Sequence, residues 1–334
     1  MINQSKKILV TGGAGYIGSH MVYELLDRGE TVVVLDRLST GFDWAVAPGA
    51  ELVVGDIGDQ PMVERLIAER NVDSIIHFAG SVVVPDSVAD PLEYYLNNTV
   101  RSRSLIAAAV AGGVDNFIFS STAAVYGSPE AVPVTEAAPK TPESPYGASK
   151  LMTERMLEDV GAAHAMRYAI LRYFNVAGAD PDGRTGQSTR GATHLIKVAC
   201  ETALGKRDGM KVYGTDYPTR DGTCVRDYIH VTDLVGAHAG ALDYLRSGGA
   251  STVANCGYGR GYSVLEVLDT VREVVGHDFP VETAGRRPGD ASAIVADGSR
   301  ARALFDWTPR HDDLPGIVRS ALRWEEKLAR CNTP

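Results

Sequence analysis

Cysteine is scarce. The 334-residue chain has four, at positions 200, 224, 256 and 331, and no two stand at Cys-x-x-Cys spacing. That excludes the usual structural zinc patterns and a dithiol redox pair. No metal is expected, and isolated thiols suit a reducing compartment. Basic charge is also short: 33 Lys and Arg against 42 Asp and Glu give a net charge of −9. A nucleic-acid binder needs a basic surface to displace phosphate counterions, so this balance argues against one. Long apolar runs are missing too. No stretch approaches the roughly 20 apolar residues of a membrane span. Residues 1–7 are polar, and the apolar run after them is too short for a secretory signal. A cytoplasmic location is expected, with neither nucleic acid nor membrane as partner. The length suits about two domains and a core that needs no disulfide or metal.

Glycine, by contrast, is plentiful and placed. The β-branched run Ile8–Val10 meets a glycine cluster, Gly12-Gly13-Ala14-Gly15-Tyr16-Ile17-Gly18. Ile17, Met21, Leu25 and Leu26 then recur at helical spacing, and Thr31–Leu35 is a second apolar run ending at Asp36. This is a strand, turn, helix and strand in about 30 residues. Gly12 permits the tight turn, Gly15 lets backbone approach a pyrophosphate, and Gly18 lets helix and sheet pack closely. The helix start offers unpaired N–H groups to phosphate. Asp36 falls where a carboxylate holds ribose hydroxyls and repels a 2′-phosphate, which favours NAD. Arg37 beside it offsets part of that repulsion.

Further alternation follows. Leu52–Val54, Ser74–His77 and Asn116–Ser121 read as strands; Pro61–Arg70 and a long Pro91–Gly112 segment read as helices. The pattern predicts an α/β fold with a doubly wound parallel sheet, ligands lying at the strands' C-terminal ends. Asp56, after the 52–54 strand, is placed to accept from an adenine amino group, with Ile57 packing beside it.

The run from Tyr146 to Lys150 sets a phenol and an ammonium four residues apart, hence on one helix face. Pro145 suits that helix's first turn. A nearby cation favours the phenolate, so Tyr146 is expected to titrate low enough to act as a base near neutral pH. Thr122 ends a predicted strand and offers a hydroxyl to a developing oxyanion.

With these residues in view, the chain resembles the UDP-glucose 4-epimerase family of extended short-chain dehydrogenases/reductases over essentially its whole length. The markers are Thr11–His20, His77–Gly80, Pro91–Tyr95, Tyr146–Lys150, Leu171–Asn175 and Arg226–Val231. The resemblance implies a Rossmann-type sheet with a smaller C-terminal α/β substrate domain. Residues 1–176 would bind NAD, with a returning segment near 225–240, and residues 177–334 a UDP-sugar. It implies Tyr146, Lys150 and Thr122 as catalytic. Gly12, Gly15, Tyr16, Ile17 and Gly18 would hold the pyrophosphate, Asp36 the adenosine ribose, and Asp56 and Ile57 the adenine. Phe78, Ala79, Gly80 and Asn97 would line the NAD path, Lys150 would hold the nicotinamide ribose, and Tyr173 would lie by the nicotinamide. Asn175, His194, Leu195, Arg226, Tyr228, Arg287 and Asp290 would bind the UDP-sugar. A homodimer through the 91–112 and 151–160 helices is implied as well.

Departures from the family pattern are informative. Val82 stands where a phosphate-contacting Lys is common, His194 where an Asn is usual, and Thr122 where a Ser is usual. Sister dehydratases carry an Asp-Glu pair directly after the catalytic hydroxyl; here the positions are Ala123 and Ala124, which can neither give nor take a proton. Decarboxylating relatives place a Glu in this segment, and it too is absent. A C4 epimerase is expected. N-acetylhexosamine, uronate and pentose versions remain alternatives, and a non-catalytic NAD sensor is disfavoured because Tyr146 and Lys150 are both retained. Ile294 would form the far wall of the sugar pocket, where side-chain size sets access for N-acetyl groups.

Beyond residue 176 regular alternation breaks. Ala179–Arg190 reads as loop, His194–Leu204 as helix, Tyr213–Cys224 as turns and Val225–Val235 as a strand running into a helix. Tyr262–Val275 reads as helix, residues 285–290 as loop and Leu314–Arg330 as a terminal helix. Arg226 and Arg287 are the candidates for the diphosphate, because a guanidinium fork matches phosphate oxygens.

Overall fold

The computed structural model describes residues 6–287 and 290–331. Residues 1–5 of the polar start, Pro288 and Gly289 of the expected 285–290 loop, and the Cys331 thiol lie outside what is described. The first half runs β1 (Lys7–Thr11), α1 (Tyr16–Asp27), β2 (Val32–Asp36), β3 (Glu51–Val54), α2 (Gln60–Arg70), β4 (Val72–His77), α3 (Val84–Ala89), α4 (Pro91–Tyr94), α5 (Arg101–Ala111), β5 (Asn116–Ser120), α6 (Pro145–Ala163) and β6 (Arg167–Tyr173). The second runs β7 (Asn175–Ala177), α7 (Leu195–Ala203), β8 (Met210–Tyr213), β9 (Val225–His230), α8 (Val231–Arg246), β10 (Thr252–Cys256), β11 (Gly261–Ser263), α9 (Val264–Val275), β12 (Val281–Ala284), β13 (Ala293–Ile294), α10 (Ser299–Phe305) and α11 (Leu314–Cys331).

Seven parallel strands form the main sheet in the order β10-β6-β5-β4-β1-β2-β3. The strands are buried on both sides, as parallel sheets must be: Ile8, Leu9 and Val10 of β1 have no exposed surface. On one side α1 and α8 pack into a core with Met21, Val22, Leu234 and Leu242. On the other, α2, α5 and α6 cover Leu9, Val33, Phe117 and Ile170. The order reverses between β1 and β4, and that crevice is where a ligand lies in such sheets.

The segment near 225–240 gives β9 to a smaller sheet and α8 to the face of the large one, while the large sheet's last strand is β10, further along the chain. In the smaller sheet β9 is flanked by β7, β11 and β13, and β8 pairs with β12 separately. Helices α7, α9 and α11 pack on one another beside it.

Two expected helices differ from their reading. The 91–112 segment is α4 and α5 joined by a π-helical turn at Tyr95–Val100. Such a turn holds an extra residue, and here it brings Asn97 and Asn98 together onto the Ser81 loop. The 262–275 segment starts as strand β11. Its helix begins only at Val264, because Ser263 and Glu266 form a reciprocal capping box.

Candidate active site

The glycine loop leaves β1 at the crevice. Gly12 has φ +72°, and a Cβ there would sit 2.6 Å from the Ala79 nitrogen. A Cβ on Gly18 would sit 2.1 Å from the Gly12 carbonyl oxygen. Both glycines are therefore required by packing alone. Gly15 differs: its Cβ would meet only the Gly12 oxygen, at 3.3 Å, so it faces the open side. Gly15 caps α1 without any side-chain acceptor for the N–H groups of Tyr16, Ile17 and Gly18, and no acid stands in the first turn. That cradle fits a pyrophosphate.

Asp36 ends β2 and accepts from the backbone nitrogens of Ala14 (3.0 Å) and Leu38 (2.8 Å), so it also fixes the loop it would serve. Arg37 does not lean toward Asp36's open side; its guanidinium lies 3.7 Å from Asp56, which Arg101 also meets at 3.2 Å. Asp56 thus stands between two cations, and Ile57 is buried beside it. Across the crevice, Phe78 donates its backbone N–H to Thr11 and packs its ring 4.9 Å from that of His238. Asn97 bonds Ser81 and Arg101. Asn98, which the sequence did not single out, grips both the N–H and the C=O of Ser81 and so shapes the Gly80 turn. A Cβ on Gly80 would lie 3.6 Å from Lys150 Nζ. Val82 is half exposed.

Tyr146 and Lys150 share the inner face of α6. Ser144 caps this helix through the Gly147 N–H (3.2 Å), and Pro145 occupies its first turn. Both functional side chains are buried, at 7% and 3% exposure. The Tyr146 phenol meets the Thr122 hydroxyl. Thr122 in turn accepts from the Ala124 N–H at 3.1 Å, capping the short turn of residues 123–126. Lys150 Nζ donates to the Ser120 carbonyl (3.0 Å) and lies 4.9 Å from the centre of the Phe119 ring. Tyr173 accepts from Ser120 Oγ at 2.8 Å.

The expected lowering of the phenol pKa is not what the protein alone achieves. Burial raises the Tyr146 pKa above its ordinary value, and the Thr122 hydrogen bond pulls it back only in part. Lys150 is drawn to the Ser120 carbonyl, and burial lowers its own pKa to about 8 against the opposing pull of Glu154. At neutral pH Lys150 therefore keeps its charge.

The substrate-side residues are organised by β9. Asn175 and Tyr228 are register partners across β7 and β9, and Ile294 and Arg226 across β13 and β9. Asn175, Tyr228, His194 and Leu195 line one solvent-open cavity of about 460 Å³, together with Gln187, Lys197, Trp324 and Glu325. Those last four were missed; nothing in their local spacing marks them. Tyr16 joins the same wall and donates to the Gly178 carbonyl at 2.7 Å, tying the glycine loop to β7. Arg226 lies 3.6 Å from Asp290. Arg287 is exposed and stacks its guanidinium 3.7 Å over the Tyr213 ring, whereas neighbouring Arg286 is bonded to Asp216. Ile294 packs in an apolar cluster with Ala123, Tyr126 and Phe174 and is not among the residues that line the cavity.

A glycine cradle, an acid at the end of β2, a buried tyrosine–lysine pair and a cavity lined from β7, α7 and β9 define the arrangement. The sequence model of the NAD dependent epimerase/dehydratase family matches residues 8–257. The chain belongs to that family. It is 57% identical over 324 residues to the UDP-glucose 4-epimerase of Azospirillum brasilense, covering 97% of this chain and 93% of that one. Its structure is similar to the crystal structure of UDP-glucose 4-epimerase from Brucella ovis in complex with NAD, with TM-score 0.93, 42% identity and coverage of 96% and 98%. It is similar also to the UDP-Glc/GlcNAc 4-epimerase of Campylobacter jejuni, with TM-score 0.85, 47% identity and coverage of 97% and 100%. Membership accounts for the parallel sheet and the NAD cradle together. Among the described residues of this family member, no helix is long and apolar enough to cross a membrane.

Proposed function

We infer that the protein is an NAD-dependent 4-epimerase that interconverts UDP-glucose and UDP-galactose. The observation that carries this is the buried Thr122–Tyr146–Lys150 set, whose ammonium lies against the Gly80 turn of the cofactor crevice. Bound NAD supplies the acceptor and later the donor of the C4 hydride. The chain does the rest. Tyr146 takes the proton of the sugar 4-hydroxyl and returns it. Thr122 donates to the same oxygen as it gains carbonyl character. Lys150 keeps a positive charge nearby and holds the nicotinamide ribose. Asn175, His194, Leu195, Tyr228, Arg226, Arg287 and Asp290 anchor the UDP so that the hexose can turn over and present its other face. Ala123 and Ala124 offer no group for dehydration.

The test is direct: purified protein is mixed with UDP-galactose without added reductant. Formation of UDP-glucose with no net redox change supports the reading; a dead mixture with NAD present would overturn it. A second reading, activity on UDP-N-acetylhexosamines as well, is favoured by the aliphatic Ile294, smaller than an aromatic ring and packed with Ala123 and Phe174, and by the Campylobacter jejuni relative's two sugars. The same assay with UDP-N-acetylgalactosamine separates the two.

A homodimer fits the surface. Val88, Leu92, Leu96 and Val100 on α3 to α5 and Met152 on α6 are exposed, Leu92 at 78%. A run of apolar side chains of this kind marks an association surface. A reducing, cytoplasmic setting suits the buried free thiols Cys200, Cys224 and Cys256.

A further inference from the structure

Behind the site lies a charged pair with no part in the proposed chemistry. Glu154 sits on α6 one turn after Lys150 and two turns after Tyr146, on the same face. Arg172 sits on β6 immediately before Tyr173. Both side chains are 1% exposed. Arg172 Nε donates to one carboxylate oxygen of Glu154 at 2.9 Å and Nη2 to the other at 2.5 Å. Two charges buried this fully are a costly way to join a helix to a strand, and well-packed apolar residues are often as stable. Their placement relative to the site calls for another role.

The pair's remaining hydrogen bonds all reach the walls of the site. Ser121 Oγ donates to Glu154 at 2.5 Å. Arg172 Nη1 donates to the Tyr126 hydroxyl at 2.9 Å, and that hydroxyl donates to Asn255 Oδ1 of β10 at 2.7 Å. Tyr126 closes the short turn that Thr122 caps. Three consecutive residues at the end of β5 are thereby each tied to one residue of α6. Ser120 bonds Lys150 and Ser121 bonds Glu154, while the Thr122 side chain is near enough to the Tyr146 phenol to lower its pKa. A shift of the helix along the strand would break all three links at once.

Resting on the catalytic reading above, we propose that Glu154 and Arg172 are positioning residues that hold α6 in register with Ser120–Thr122, so that the Tyr146 phenol and the Thr122 hydroxyl converge on one oxygen with the Lys150 ammonium held beside them. Glu154 touches no reacting atom. It acts through Ser121 on the strand and through Arg172 on the turn. Site geometry of this kind is worth large factors, since a misplacement of about 1 Å costs roughly 100-fold in rate.

Three variants test this, read as kcat, KM for UDP-galactose, bound NAD per chain and melting temperature. Glu154→Gln leaves Arg172 charged and buried, so a loss of melting temperature is expected and is not by itself informative. Glu154→Gln with Arg172→Gln removes both charges and keeps a hydrogen-bonding pair. It is expected to recover melting temperature, with kcat down about 10- to 100-fold and with KM and NAD content unchanged. Ser121→Ala leaves the ion pair intact and cuts only its link to the strand. It is expected to melt near the parent temperature with kcat down about 10-fold. The proposal is overturned if either the neutral pair or Ser121→Ala folds like the parent and turns over at the parent kcat, or if the loss lies in KM or NAD content. Tyr146→Phe, run alongside, keeps the two failures apart. An active Tyr146→Phe removes the catalytic reading itself, while an inactive one beside fully active Glu154 and Ser121 variants removes only the positioning role.

Discussion

The two halves of the molecule build their sites from different material. In the cofactor half the functional atoms are mostly backbone: the N–H groups opening α1, the turn at Gly12 and the close approach of the Gly80 loop to Lys150. In the second half the candidate atoms are side chains on strands, loops and a helix, held by their neighbours: Arg226 by Asp290, Arg287 by the Tyr213 ring, Lys197 by the Gln187 carbonyl and Glu325. Gly12 and Gly18 tolerate no added atom, because the neighbour there is main chain that cannot turn aside. Side-chain sites lose a contact when a residue changes, but keep the fold. Between them stands α6, whose Tyr146 and Lys150 are proposed to serve both.

That contrast can be broken by substitution. The largest effect is expected at the junction. Tyr146→Phe removes the phenol proposed to exchange the 4-hydroxyl proton, and kcat should fall by roughly 1,000-fold or more while bound NAD per chain stays unchanged. Next comes the backbone site. Gly18→Ala drives a methyl to within 2.1 Å of the Gly12 carbonyl, so unfolding in urea should show a loss of about 3 kcal/mol, with NAD retention falling in parallel. The side-chain site should respond otherwise. Arg287→Met removes an exposed guanidinium and should raise KM for the UDP-sugar about 10- to 100-fold, with little change in kcat, NAD content or stability. A fall in stability as large as that of Gly18→Ala would erase the distinction between the halves.

The smallest effect is a pH dependence at the junction. The Lys150 pKa is lowered to about 8 from an ordinary 10.5, because burial disfavours the charge, with Glu154 opposing. The group's folded pKa lies below its unfolded one. Its ammonium is therefore lost as pH rises through about 8, and kcat/KM should decline on that alkaline limb. Stability moves the opposite way for this group: the burden of a buried charge is lifted between about 8 and 10.5, where the unfolded chain binds more protons. A rate profile flat to pH 10 would contradict the role given to the ammonium.

How much of this was legible in the sequence follows the same division. Gly12 and Gly18 stand out because the close main chain leaves no room for a side chain, Gly15 because it opens a helix with no side-chain cap, and Tyr146 with Lys150 because a helix puts i and i+4 side by side. The doubly wound sheet followed from alternation alone. What stayed hidden depends on tertiary neighbours. Glu154 and Arg172 are 18 residues apart and meet only because α6 lies on β6. Asn98 gained its role from a π turn that no local pattern announced. Strand β10, with Ala, Asn and Cys at its buried positions, carries little apolar signal yet completes the main sheet. The expectation of a low phenol pKa treated Lys150 as a bare neighbouring charge, whereas burial is the larger influence on both groups.

The central claim is that hydrogen leaves C4 as a hydride and returns within one enclosed site, while Tyr146 handles only the hydroxyl proton. It is tested most directly with UDP-galactose carrying deuterium at C4, incubated in ordinary water and followed by mass spectrometry and NMR. The account predicts UDP-glucose with the deuterium still at C4. Product that has exchanged that position for solvent hydrogen would mean that C4 is deprotonated instead, and would contradict it.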